Sequence, residues 1–193
     1  MAEHEIHALI SARKSSRLYD AGRRVDPHVI SLLLEAARWA PSSRNAQPWR
    51  YLVFDDRVAL EREQARACLD AANRQWADRA PVLILAVSED EIRPGRRNPK
   101  AQHDLGLANA NLLLQATALG LSCRPMGGFD ARKAQAVFKI PEVFTPTVMI
   151  AVGYPDRGEG LPAEVIAREQ EVRPRRDVSS FAYLGQWERG HPG

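Results

Sequence analysis

The sequence predicts an α/β or α+β domain built on a central sheet. Helical and strand patterns alternate along the chain. Two strand-length runs, Val82–Val87 and Pro146–Val152, are apolar almost throughout, as in strands covered on both faces. One helical segment, Gln102–Leu119, is apolar on more than one face and so belongs in a core or a subunit interface. The chain has 193 residues. A chain of this size buries roughly 70% of its unfolded surface, enough for one domain with a real core and cramped for two.

The elements follow in order. A first helix is expected over Glu3–Ala12, with Ile6, Leu9 and Ile10 on one face. The basic stretch Arg13–Arg24 ends in the turn signal Asp20-Ala21-Gly22. Asp26 suits a helix cap and Pro27 the first helical position, where a missing N–H costs nothing. Val29, Leu32, Leu33, Ala36, Ala37 and Ala40 then form a buried stripe, and Pro41 stops it. A polar loop, Ser42–Gln47, leads to a strand over Trp49–Phe54. A helix is expected from Arg57 to about Ala72, and a strand over Val82–Val87. Glu89–Lys100 reads as a charged loop long enough to be mobile. The long helix Gln102–Leu119 stops at Gly120, and Leu121–Met126 reads as a short strand. Asp130 suits the cap of a helix running to about Lys139. After the strand Pro146–Val152 the chain turns irregular, with a short helix around Val165. The expected organisation is one domain over residues 1–193, with an extended C-terminal segment from about 156.

Bulk properties exclude several classes. Hydrophobic residues make up 45% and charged residues 26%, ordinary for a soluble globular protein. The net charge of +3 is compatible with phosphorylated small molecules. Nucleic acid is not expected, because no recognition-helix motif and no interleaving of aromatic and basic residues accompanies the charge. The acidic start, Met1 to Glu5, lacks the apolar stretch of a signal peptide. No apolar run is long enough to cross a bilayer. Cys68 and Cys123 form no CxxC and no Cys/His cluster with metal-ligand spacing, so free thiols, a cytoplasmic location and no metal are expected.

No protein-borne nucleophile pattern occurs: GxSxG, HExxH, GxGxxG and GxxxxGK[ST] are all missing. An enzyme of this sequence would rely on a bound cofactor. Four features stand out. Arg13-Lys14-Ser15-Ser16-Arg17 packs three cations and two hydroxyls into five residues; it suits a phosphate or is a solvated basic turn. Ala40 to Trp49, dense in amides and hydroxyls and pinned by Pro41 and Pro48, suits the polar edge of a heterocycle or is a turn between helix and strand. Met126-Gly127-Gly128-Phe129-Asp130 lets backbone approach a ligand or is a tight connection. Arg173-Pro174-Arg175-Arg176 is a late basic cluster or a solvated tail.

In this order the features resemble the nitroreductase family of flavoproteins. The resemblance rests on Pro41-Ser42-Ser43-x-Asn45-x-Gln47-Pro48-Trp49, set after a helix that follows Arg-Lys-Ser-x-Arg. It is supported by the helix ending in Gly120-Leu121 before Met-Gly-Gly-Phe-Asp, by Ile140-Pro141, and by the strand ending Val152-Gly153-Tyr154-Pro155. It spans Arg13 to about Arg176.

The resemblance implies an α+β fold, a central mostly antiparallel sheet flanked by helices, in a homodimer with FMN at the interface. It implies that Arg13, Lys14, Ser15 and Arg17 hold the phosphate and the pyrimidine end of the flavin, with Arg173 and Arg175 reaching the phosphate. It further implies that Pro41, Ser42, Ser43 and Asn45 line the flavin from the partner subunit, with Gln47 close, that Gly127 and Gly128, after Met126, place backbone N–H groups near the flavin ring, and that Asn73 meets its pyrimidine edge. The implied activity is ping-pong reduction of nitroaromatic, quinone or related electron-poor molecules, with NAD(P)H as donor and no dedicated acid/base residue. Dehalogenation, flavin destruction, and flavin storage or sensing without turnover are the alternatives. Arg93, Arg96, Arg97 and Lys100 in the charged loop suit the 2′-phosphate of NADPH or merely keep the loop soluble.

Overall fold

The two apolar runs become the inner strands of a four-stranded antiparallel sheet of order β1-β2-β6-β5. In the computed structural model, which describes residues 6–171 and 173–190, β1 is Trp49–Phe54, β2 is Val82–Glu89, β5 is Ser122–Met126 and β6 is Phe144–Gly153. The short β3 (Glu91–Arg93) and β4 (Arg96–Arg97) make a separate hairpin. The helices are α1 (Ala8–Ala12), α2 (Pro27–Arg38), α3 (Ala59–Cys68), α4 (Ala71–Ala77), α5 (Ala101–Ala118), α6 (Ala131–Val137) and α7 (Ala163–Gln170).

β2 is apolar throughout because both of its faces are covered. Val82, Ile84 and Ala86 point to a core shared with Leu33 of α2, Leu105 and Leu112 of α5, and Ile150 and Val152 of β6. Leu83, Leu85 and Val87 point the other way, to Ala65 and Cys68 of α3, Trp76 of α4, Ala134 of α6, and Met149 and Ala151 of β6. Strand alternation thus divides one run into two cores. The edge strand β5 carries Pro125, tolerated because an edge leaves one side of the ladder unused. Asp26 Oδ1 caps α2 by accepting from His28 N at 2.7 Å, and Gly120 ends α5 at φ +73°.

Four boundaries differ from the sequence expectation. Residues 3–5 of the first helix lie outside the described residues; within them α1 starts at Ala8, where His7 Nδ1 accepts from Leu9 N at 3.2 Å. The helix expected over 57–72 breaks in two. Leu69 turns extended and bridges Phe129, and Asp70 recaps α4 through Oδ1 on Asn73 N at 2.7 Å. The supposed loop 89–100 holds the β3–β4 hairpin, turning at Pro94 and Gly95, the latter at φ +75°. β6 extends two residues earlier than expected, because Phe144 and Thr145 keep their pairing with β2 across a bulge.

Both cysteines are buried and free. Burial pushes the Cys68 thiol up and the Cys123 thiol to about 12, so neither is a reactive thiolate.

Candidate functional site

The Arg13–Arg17 segment leaves α1 without helix or strand of its own and is held to β5 at Ser15. Arg124 of β5 donates from Nη1 to the Ser15 carbonyl at 2.5 Å, and its guanidinium sits over the Trp76 ring, 5.3 Å from the centroid. The fully buried Tyr19 donates to the Ser16 carbonyl at 3.1 Å. These contacts fix the backbone of the segment, in which Arg13 and Arg17 remain half-buried and Lys14 exposed.

Arg13 donates to Ser15 Oγ at 3.0 Å, and its own carbonyl accepts from Arg173 Nη1 at 3.1 Å. The Arg13 guanidinium is held below its ordinary value by burial and then by the positive charges of Arg173 and Arg175. Among the described residues no carboxylate pairs with Arg13, Arg17, Arg173 or Arg175. Like charges gathered without a counter-ion raise the free energy of the region, and a bound dianion lowers it. Lys14 is held differently. Its ammonium pairs with Glu169 Oε1 at 2.7 Å and donates to the Glu169 carbonyl at 2.8 Å. Glu169 Oε2 also accepts from Arg17 N at 2.9 Å. Burial acts to raise the Glu169 carboxyl, but Lys14, the Arg17 N–H and the Ser16 hydroxyl outweigh it and hold it below the usual range. This network ties α7 to the basic segment.

β5 leads into two glycines that meet the start of α4. The Gly128 carbonyl accepts from Asp70 N at 3.0 Å and from Asn73 Nδ2 at 3.1 Å. A Cβ on Gly128 would fall 2.0 Å from Asp70 Oδ2 and 2.6 Å from Asn73 Nδ2, so only glycine fits there. A Cβ on Gly127 would meet nothing within 4 Å. Gly127 therefore fronts open space, and among the described residues neither glycine N–H has a hydrogen-bond partner. Arg17, Gln75, Trp76, Glu164, Val165 and Arg168 line a cleft of about 270 Å³. Arg124, two positions before Met126, joins β5 to Ser15 of the Arg13–Arg17 segment, and Asn73, which holds the Gly128 carbonyl, shares α4 with Gln75 and Trp76 of that cleft.

The Pro41–Gln47 loop stands apart. Arg44, Asn45 and Gln47 all adopt positive φ, at +56°, +55° and +48°. Each such non-glycine residue costs about 1 kcal/mol and persists only where its surroundings enforce it. The enforcing contacts are specific. Ser43 N donates to Asp104 Oδ2 at 2.9 Å, Gln47 N to Ser42 Oγ at 3.0 Å, and Glu89 N to the Pro48 carbonyl at 2.7 Å. Trp49 is buried behind the loop. Asp104, only 2% exposed in the first turn of α5, also reaches His103 Nδ1 through Oδ1 at 3.1 Å. Pro41, Ser42 and Ser43 line a cleft of about 390 Å³ with Lys100, His103 and Leu107. Asn45 and Gln47 are exposed.

Among the described residues no hydrogen bond, ion pair or cleft joins this loop to the cationic region. Sequence reasoning missed three residues that build the two regions. Arg124 and Asp104 were legible only as charges inside an otherwise apolar strand and helix, and Glu169 lies in a segment with little pattern. Each acts across 61 to 152 positions of chain, a separation no local motif spans.

Comparison with known proteins bears on the family and the fold. The model of the nitroreductase family matches residues 10–75 and 60–154. A Thermus thermophilus protein named NADH dehydrogenase is 32% identical over 195 residues, covering 83% of this chain and 91% of that protein. A Thermotoga neapolitana iodotyrosine deiodinase is 28% identical over 174 residues, covering 78% and 89%. A solved structure described as an oxidoreductase containing FMN superposes with a TM-score of 0.91 at 26% identity, covering 98% of this chain and 96% of that one.

Proposed function

The chain belongs to the nitroreductase family, and on that premise we propose that it is an FMN-dependent oxidoreductase. In this reading it uses NAD(P)H to reduce nitroaromatic, quinone or related electron-poor small molecules by a ping-pong mechanism. One observation carries the reading: among the described residues Arg13, Arg17, Arg173 and Arg175 have no carboxylate partner, and the N–H groups of Gly127 and Gly128, which follow β5, have no hydrogen-bond partner.

The residues present fit the cofactor. Arg13, Arg173 and Arg175 offer the phosphate a cluster of guanidiniums that lacks its own anion, and the Ser15 hydroxyl adds a donor. Arg17 would serve the pyrimidine end, where a cation would favour electron density on the ring. Lys14, paired with Glu169, sets the position of the segment and adds to its field. The Gly127 and Gly128 N–H groups donate to the ring edge, and Asn73 holds the Gly128 peptide in place by its hydrogen bond to the carbonyl. Met126, buried at the end of β5, fixes where the glycines begin. Bound FMN supplies the redox chemistry, taking a hydride from NAD(P)H and passing reducing equivalents to the oxidised substrate. The protein contributes position, charge and exclusion of water.

Pro41, Ser42, Ser43, Asn45 and Gln47 act on the cofactor bound by a second copy. Two half-sites standing apart on one chain are what a site shared across a two-fold axis requires. The working unit is thus a homodimer of single FMN-binding domains, placed in the cytoplasm. Among the described residues no helix is long and apolar enough to cross a membrane.

The test is the flavin itself. Purified protein is expected to be yellow or to take up added FMN, and stopped-flow mixing with NADH or NADPH is expected to bleach the flavin band. A colourless protein that binds no FMN overturns the cofactor reading. A flavin that neither nicotinamide bleaches overturns the reductase reading in favour of storage or sensing.

A further inference from the structure

The β3–β4 hairpin carries charge in an arrangement that folding alone does not favour. Arg93 and Arg96 are cross-strand partners. Like charges directly opposite in an antiparallel pair repel. Arg97 lies across from Glu91, but that carboxylate accepts from Gly95 N at 3.1 Å and forms no ion pair. Among the described residues Arg93, Arg96, Arg97 and Lys100 have no carboxylate partner. The nearby acids are already engaged. Glu89 is paired with Arg50 at 2.5 Å, while Asp90 accepts from Ser88 Oγ at 2.8 Å and from Thr145 Oγ1 at 2.5 Å. All four cations are exposed.

The hairpin is also anchored beside the strained loop. Glu89, just before it, donates to the Pro48 carbonyl, and Asn98, just after it, donates to the Asp90 carbonyl at 2.7 Å. Lys100 lines the cleft formed by Pro41, Ser42 and Ser43. The basic patch is thus continuous with the polar cleft.

We propose that the hairpin is the subsite for the 2′-phosphate of NADPH, with Arg93, Arg96 and Arg97 as its ligands and Lys100 carrying the positive field into the cleft. This rests on the reductase reading and adds a donor preference to it. A 2′-phosphate is a near-dianion at neutral pH, and a pair of opposed guanidiniums offers it donors in fork geometry. NADH has a hydroxyl there and gains nothing from the patch. The chain therefore prefers NADPH.

The experiment uses the flavin-loaded protein and compares it with Arg93→Ala/Arg96→Ala. Calorimetry with adenosine 2′,5′-bisphosphate is expected to show binding that weakens about tenfold or more in the variant. Binding of 5′-AMP, which lacks the second phosphate, is expected to be weak and equal in both. Flavin bleaching by NADPH is expected to require about tenfold more NADPH in the variant, while the NADH requirement is unchanged. The flavin spectrum reports that the exposed substitutions leave the fold and cofactor intact. An unchanged NADPH-to-NADH ratio, or equal loss with both, overturns the proposal and leaves the reductase reading standing. A flavin that neither nicotinamide bleaches overturns both.

Discussion

The Arg13–Arg17 region and the Pro41–Gln47 loop prepare for a ligand by different physical means. The first gathers guanidiniums that have no carboxylate partner among the described residues, on a backbone fixed by Arg124, Tyr19 and Glu169. The second carries one charge, Arg44, and stores its cost in three left-handed non-glycine residues held by Asp104 and Ser42. Charge concentration gives affinity for a phosphate, because the ligand relieves a repulsion already present. Strain gives shape, because the loop's groups are set before anything binds. One region is therefore expected to govern how tightly cofactor is held, and the other how the pocket above it is formed.

The largest predicted effect breaks the charged side. Removing two of its cations in Arg13→Ala/Arg173→Ala is expected to weaken FMN binding by about 100-fold, measured by flavin fluorescence titration. Far-ultraviolet circular dichroism should stay unchanged. Retention of FMN at wild-type affinity would remove this region from the cofactor site.

Next come the two glycines, which separate packing from binding. Gly128→Ala pushes a Cβ into Asp70 and Asn73 and costs both the α4 cap and the hydrogen bond to the Gly128 carbonyl. The expected loss is about 2 kcal/mol of stability in urea unfolding. Gly127→Ala enters open space and is expected to leave stability within about 0.5 kcal/mol while weakening FMN binding. Equal stability losses in both would mean that Gly127 also serves packing alone.

A smaller effect depends on pH. Glu169 is held below its unfolded value, so its contribution is fully present above the ordinary glutamate range and fades as pH falls through the folded value. Glu169→Gln is expected to cost about 1.5 kcal/mol at about pH 7 and progressively less towards about pH 4. A loss independent of pH would show that the carboxylate's charge is not what ties α7 to Lys14.

The smallest effect tests the strained side. Arg44→Gly relieves a left-handed residue and is expected to raise stability by up to about 1 kcal/mol, read as a higher melting temperature. FMN affinity in the charged region should change little. A fall in stability would mean that the Arg44 side chain, rather than its backbone, holds the loop.

Much of the scaffold was legible in the chain. Asp26 and Pro27 start α2, Gly120 ends α5, and the apolar β2 run lies in the middle of the sheet as its composition demands. Misread places failed for identifiable reasons. The Arg57–Ala72 helix broke because Leu69 and Asp70 pair with Phe129 and Gly128, far along the sequence. The Glu89–Lys100 loop became a hairpin because Pro94-Gly95 is a turn signal flanked by strands too short and too charged to show a pattern.

Local patterning by itself determined the alternation of helices and strands, the buried faces, and the two stretches rich in binding groups, since periodicity and caps act within a few residues. Tertiary structure alone decided that Arg173 meets Arg13, that Glu169 takes up the Lys14 ammonium and the Arg17 N–H, and that Asp104 enforces the loop's strain. Charge compensation and strain are properties of neighbours in space, and these neighbours meet only when β5 joins the sheet edge and α7 docks on the Arg13–Arg17 segment.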